Sequence, residues 1–450
     1  MSFAPVTAAR LTAFAARLQR DGRLPSLVAG VNRGPGLDWW CARGEVDDAA
    51  PDTDVQYRIG SITKTITAIA VMRLRDEGQL SLDDPIEHHV PGTPYAGRTI
   101  GHLLAHGAGL AAESPTTWWE RAPGEPWSTF AEHLSGDDIK HPAGRRFHYS
   151  NLGYGVLGEV LSRCRRRPWA DVVRDEVLLP LEMTRTTTRP SGRAAQGFAV
   201  HPWADLLLRE PEHDAGAMAP AGQLWATLAD LGRLAWFLLG HTGDVLEPAT
   251  LEEMGEPSGI DASALGWSAY GLGLQVVRSE GRSYIGHGGS MPGFLAGVFV
   301  DPDEQTGAVV LTNATSGLSP GALPGLLDIV REAEPHVVEA WRPLRTADPD
   351  ALALTGTWYW GTTGYGLRLC SDGLLHMIGL QGAGRESRFR RTADGWLGLD
   401  GYHAGETLRP VLRDGVVIAL DLGSFVFSRS VYDGNAPIPG GVDAAGWQPT

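Results

Sequence analysis

The stretch Tyr57-Arg58-Ile59-Gly60-Ser61-Ile62-Thr63-Lys64-Thr65 reads as a short lead-in followed by the first turn of a helix. Downstream, Ile62, Ile66, Ile69, Ala70 and Leu74 recur at helical spacing, which predicts one apolar face buried against a core. Arg73 and Arg75 fall in the last turn and Gly78 follows, as a helix stop requires. Ser61 therefore stands at the helix N-terminus, where unpaired amides and the helix dipole favour developing negative charge. Lys64 is one turn on and shares its face. A serine hydroxyl is a weak nucleophile, but a partly desolvated lysine amine has a lowered pKa and can take its proton. Read alone, the same residues also describe a capping serine and a surface lysine.

Composition narrows the setting. The chain has 450 residues and a formal net charge of −15. That length allows a large core and more than one domain. The charge disfavours nucleic acid and anionic membrane surfaces as partners. Cys41, Cys164 and Cys370 stand far apart and give neither a disulfide framework nor a metal-ligand spacing. No apolar run reaches the length of a membrane span, and Leu11 to Ala16 is too short an apolar core for a secretory signal. A cytoplasmic protein is the expectation.

In chain order, Val6 to Arg20 reads as an Ala-rich helix, and Leu27 to Val31 with Leu37 to Arg43 as a hairpin. Thr99 to Leu110 reads as a short helix broken by glycines. Its His102 and His106 are spaced i, i+4, but no Glu or third ligand accompanies them, so the pair reads as structural. Trp118, Trp119 and Trp127 either line an apolar pocket or fill the core. Tyr149-Ser150-Asn151 sits on a tight connection ahead of a helical pattern from Leu152 to Leu161. A tyrosine there can shuttle a proton where a nearby cation lowers its pKa. An asparagine amide can bind a substrate carbonyl and steady a lysine at once. Trp169 to Pro180 suggests another helix, and Thr227 or Asp230 caps one running through Leu239. A β-rich block follows: Tyr270 to Val277, Arg282 to Gly286, Phe294 to Val300 and Ala308 to Asn313. The Gly288-Gly289 pair after His287 allows a ligand to approach an exposed strand backbone. Leu323 to Glu334 reads as a closing helix. From about Leu344 the texture changes to short strand-like runs, from Leu354 to Trp360 through Phe425 to Ser428, which suggest a small antiparallel barrel. The Pro- and Gly-rich tail from Gly434 reads as extended.

Ser61-x-x-Lys64, Tyr149-x-Asn151 and the Gly-rich strand motif at His287, in that order, resemble the serine β-lactamase and penicillin-binding-protein superfamily. The chain looks most like the class C group, with its esterases, D-amino-acid peptidases and acyltransferases. Leu103 to Leu110, Pro142 to Gly158 and Gly286 to Gly289 match as well. The resemblance implies an α/β, β-lactamase/transpeptidase-like fold: an antiparallel sheet flanked by helices plus an all-helical subdomain over 1–343. A lipocalin-like antiparallel β-barrel would follow at 344–450. It implies Ser61 as nucleophile, Lys64 as its activating base and Tyr149 as a second acid/base. Asn151, His287, Gly288, Gly289 and Ser290 would contact substrate, with the backbone N–H groups of Ser61 and Ser290 forming an oxyanion hole. Neither cofactor nor metal is implied.

The superfamily's Lys-Thr-Gly motif is replaced here by His287-Gly288-Gly289. A histidine can be neutral where lysine is charged. The change suits a substrate without the carboxylate of β-lactams and favours esterase-like chemistry. The expected activity is that of a serine hydrolase or acyltransferase, forming a covalent acyl-enzyme on a small-molecule or peptide ester, thioester or amide. The penicillin-binding-protein-type thioesterases, which cyclise nonribosomal peptides, combine the same two parts, so a carrier-protein-borne thioester is an alternative substrate. A non-catalytic penicilloyl-type sensor is the alternative of another class.

Overall fold

The structure is a computed structural model that describes residues 2–261, 268–279, 281–338, 340–382, 384–423 and 425–431. The chain divides into two units, Met1–His336 and Val337–Thr450. In the first, α1 (Pro5–Asp21) leads into β1 (Ser26–Asn32) and β2 (Trp39–Gly44), and α2 (Ile62–Asp76), α3 (Asn151–Arg165) and α4 (Leu228–Leu238) follow. Then come β3 (Gly259–Asp261), β4 (Ser268–Tyr270), β5 (Gln275–Ser279), β6 (Arg282–Met291), β7 (Phe294–Asp301), β8 (Thr306–Thr312) and α5 (Ala322–Ala333). The strands form one antiparallel sheet in the order β2-β1-β8-β7-β6-β5-β4-β3.

The central strands are apolar at successive positions because both faces of the sheet are covered. Val28 of β1 with Val309 and Leu311 of β8 join a core with Ile66 and Ile69 of α2, Val156 of α3 and Leu234 of α4. Leu27, Ala29 and Val31, with Ala308 and Val310, point the other way and pack on Leu11 of α1 and Leu326 and Val330 of α5. The period of two along each strand thus divides its side chains between two helical layers.

Helix α2 is buried on every side through Met72, not on one face as its spacing suggested. Its threonines make this possible by using their hydroxyls on neighbouring backbone. Thr65 Oγ1 donates to the Gly273 carbonyl at 2.8 Å, and Thr67 Oγ1 to that of Pro220 at 3.1 Å. Thr63 Oγ1 accepts the Leu224 N–H at 3.2 Å. The single strand expected over Tyr270 to Val277 is instead β4 and β5, separated by a turn at Gly271–Leu274. The turn lets the backbone reach α2: a Cβ on Gly273, at φ +84°, would lie 2.2 Å from that of Ala68. The helix expected from Trp169 is a single turn, Trp169–Val173, that widens into a π turn at Arg174–Leu178.

The second unit is a closed antiparallel barrel of β9 (Gly356–Trp360), β10 (Thr363–Leu369), β11 (Leu375–Gly379), β12 (Ser387–Thr392), β13 (Gly395–Gly398), β14 (Thr407–Arg413), β15 (Val416–Leu422) and β16 (Phe425–Ser428). Trp358, Leu367, Leu375, Met377, Phe389, Leu408 and Leu420 fill its interior. Pro349–Leu354 is a short helix, so β9 begins after Leu354. The tail from Gly434 lies outside the described residues. No helix among the described residues is long and apolar enough to cross a membrane.

Candidate active site

Ser61 is the N-cap of α2. Lys64, one turn on, places Nζ 3.0 Å from Ser61 Oγ and donates to the Ala221 carbonyl at 2.7 Å. The lysine is fully buried. Desolvation lowers its pKa to about 7, against Glu113 and Glu120, whose negative charges raise it. A sizeable fraction of the amine is therefore neutral near neutral pH. In that form it can accept the serine proton while still donating to Ala221.

Tyr149 arrives on a loop zipped against residues 106–112. His148 N–H donates to the His106 carbonyl at 2.9 Å, Gly144 N–H to that of Gly107 at 2.9 Å, and Asn151 N–H to that of Ala112 at 2.7 Å. The Tyr149 ring centroid lies 5.0 Å from Lys64 Nζ. Burial raises the Tyr149 pKa, outweighing its hydrogen bond with Ser61, which lowers it. The expected lowering by a nearby cation does not occur, because desolvation of a phenolate dominates. Tyr149 is therefore protonated, with its hydroxyl in contact with Ser61.

Two glycines let strand β6 meet the start of α2. A Cβ on Gly60, at φ +51°, would lie 2.6 Å from Ser290 N, and one on Gly289 would lie 1.9 Å from the Ile59 oxygen. The backbones bearing the Ser61 and Ser290 amides are thereby pressed together. Gly288 N–H donates to Gln275 Oε1 at 2.9 Å.

Asn151 and His287, the other two residues singled out in the sequence, each have partners within the protein. Asn151 Nδ2 donates to both carboxylate oxygens of Glu113, at 2.9 and 3.1 Å. Trp119 Nε1 donates to the same carboxylate at 2.7 Å. His287 is 1 % exposed. Its Nε2 is 2.9 Å from the Tyr270 hydroxyl and its Nδ1 is 2.5 Å from the Gly288 carbonyl, so Nδ1–H donates and Nε2 accepts. Burial lowers its pKa to about 3. His287 is thus a neutral ring in the wall of the site.

The tryptophans divide between roles. Trp119 is buried, while Trp118 is exposed and stacked under Arg121, whose guanidinium carbon is 4.4 Å from the indole centroid. Trp127 lines a cavity of about 330 Å³ with Trp169, Pro220 and Gln223, whose walls do not include Ser61. His102 Nδ1 accepts the Thr99 N–H in a capping box. Glu113, the Ala221 carbonyl, Tyr270 and His106 were not assigned to the site from sequence. The motif residues themselves gave one signal: a buried amine and a buried imidazole each require a partner from elsewhere.

An antiparallel sheet between helical layers, with a serine opening a buried helix and a lysine and a tyrosine converging on it, defines the β-lactamase/transpeptidase class of fold. The Beta-lactamase family matches residues 11–329, and the chain belongs to that family. A domain of unknown function (DUF7586) matches residues 347–429. Beta-lactamase-like protein 2 of Dictyostelium discoideum is 27% identical over 282 residues, covering 59% of this chain and 51% of that protein. The chain thus spans about half the length of this curated relative. The octameric penicillin-binding protein homologue from Pyrococcus abyssi shares the fold, with TM-score 0.63 and 20% identity over 93% of this chain and 99% of its own. A D-stereospecific amidohydrolase from Streptomyces sp. superimposes with TM-score 0.60 and 25% identity, covering 74% of this chain and 99% of its own.

Proposed function

We propose that the chain is a serine hydrolase acting on amides or esters through a covalent acyl-enzyme. Ser61 Oγ attacks the substrate carbonyl carbon and passes its proton to neutral Lys64. The N–H groups of Ser61 and Ser290 hold the oxyanion. The Tyr149 hydroxyl gives its proton to the departing amine or alcohol and recovers one from Lys64. Water then attacks the acyl-enzyme by the reverse route. A thioester would enter the same chemistry, and an amine in place of water would give transfer. The observation that carries this reading is the 3.0 Å approach of Ser61 Oγ to a buried amine whose pKa is lowered to about 7.

The surroundings favour an acyl group bearing an ammonium over one bearing a carboxylate. Glu113 and Glu120 act on Lys64 as negative charges, and His287 is neutral. Amino-acid amides and esters with a free amine meet this condition. The similarity to an amidohydrolase described as D-stereospecific supports including D-configured substrates. The test is turnover of matched D- and L-aminoacyl p-nitroanilides and p-nitrophenyl esters, with fluorophosphonate labelling read by intact mass. Labelling at Ser61 and loss of turnover in Ser61→Ala are expected. Full turnover by that variant, or a stable Ser61 adduct in a protein that turns over no ester or amide, overturns the proposal.

A further inference from the structure

We infer that His106 is a positioning residue for Tyr149, holding it against Ser61 through the amide of Ser150 and through ring contact. The inference rests on the acyl-enzyme reading above. His106 is buried at 1 % exposure with φ +55°, a left-handed backbone that few residues other than glycine adopt. Its carbonyl accepts the N–H of His148, and its Nδ1 accepts the N–H of Ser150 at 3.0 Å. The residues on both sides of Tyr149 are therefore tied to this one histidine. Its ring centroid lies 4.1 Å from that of Tyr149, 4.5 Å from Tyr270 and 5.2 Å from Tyr154. Ser150, caught by Nδ1, is also the N-cap of α3, so the hold reaches that helix.

The arrangement needs the ring neutral. With Nδ1 accepting, the proton sits on Nε2, which is buried with no hydrogen-bond partner among the described residues. A second proton would turn Nδ1 into a donor, break the bond to Ser150 and set a new cation beside Lys64. The groups that face the ring are Lys64 of α2, His287 of β6, His148 of the loop and the phenols of Tyr149, Tyr154 and Tyr270. Burial, then Lys64, His287 and His148, all push its pKa well below that of free histidine. Packing alone would require neither the left-handed backbone nor the lone pair.

A double-mutant cycle tests this. His106→Asn tolerates the backbone and offers Oδ1 to Ser150 but removes the ring; His106→Ala removes both contacts. Acylation rates, read from the ester burst, are expected to fall about tenfold in His106→Asn and about a hundredfold in His106→Ala, with the substrate concentration that half-saturates the burst rate unchanged. In a Tyr149→Phe background His106→Asn should cost less than about twofold further, because the residue acts through Tyr149. An equal loss in both backgrounds, or a change in that half-saturating concentration with the acylation rate unaltered, overturns the inference. Should either variant fail to fold, nitrogen NMR of the intact protein decides: an Nε2–H tautomer at pH 7 is required, and an Nδ1–H tautomer overturns it. Full turnover by Ser61→Ala would instead strike the parent reading and leave the tautomer result standing.

Discussion

Around α2 the first unit buries an amine, two imidazoles and two phenols, Lys64, His106, His287, Tyr154 and Tyr270, and half-buries a third phenol, Tyr149. The barrel interior buries Trp358, Leu367, Leu375, Met377, Phe389, Leu408 and Leu420, and the indole N–H of Trp358 donates to the Leu354 carbonyl at 2.7 Å. Desolvating polar groups is costly unless each finds a partner. The first unit supplies those partners one by one, as with Ala221 for Lys64 and Tyr270 for His287. The barrel avoids most of the problem by packing apolar side chains together. The contrast separates a core built around paired polar groups, as the proposed proton transfer requires, from one arranged for cohesion.

The sharpest way to break this contrast is Lys64→Met. Acylation is expected to fall on the order of 10³-fold, while stability stays level or rises by about 1 kcal/mol, since a buried amine gives way to an apolar chain. A stability loss above about 2 kcal/mol in denaturant unfolding would show that Lys64 is held for cohesion after all. In the barrel, Trp358→Ala should cost about 3–5 kcal/mol of that unit's stability by calorimetry, because a filled interior cannot collapse around the gap. A cost below about 1 kcal/mol would contradict the packed interior.

The pH dependence follows from Lys64. In the proposed mechanism its working form is the neutral amine, which predominates above the folded pKa of about 7. Acylation should rise about tenfold per pH unit below that value and level off above it. For stability the sign is the same: between about 7 and the ordinary lysine value of 10.5 the unfolded chain holds a proton that the folded chain lacks. Stability from this group therefore increases with pH across that window. A pH–rate profile of kcat/KM with its acid limb above pH 9 would remove Lys64 as the base.

Glu113→Gln removes a negative charge that raises the Lys64 pKa, so the acid limb should move to lower pH. KM for ammonium-bearing substrates should rise about tenfold, with neutral esters little changed. Equal effects on both substrate types would deny Glu113 a charge-based role. The smallest effect belongs to Thr227→Ala. Thr227 Oγ1 accepts the Asp230 N–H at 3.1 Å at the start of α4, and its loss should cost about 1 kcal/mol in unfolding and leave kcat unaltered.

Much of this was legible in the linear chain. Helical spacing put Ser61 at a helix start with Lys64 one turn on, and the short runs after Leu344 correspond to the barrel strands. The turn chemistry of Gly271 and Gly273 was missed because Tyr270 to Val277 is apolar but for Gln275, and the break serves a distant contact with Ala68. Glu113 escaped notice as one carboxylate in an irregular stretch, and the Ala221 carbonyl has no side-chain signature. Both matter only through residues far off in sequence, Asn151 and Lys64.

By itself the sequence determined which groups are available: a hydroxyl, an amine one helical turn away, a phenol on a second loop, and glycines where β6 must touch the start of α2. The tertiary structure alone decided their protonation. Lys64 is brought to about 7, Tyr149 is kept protonated and His287 is kept neutral, because desolvation depends on which distant segments cover a group. That covering belongs to the folded neighbourhood, and no residue carries it along the chain.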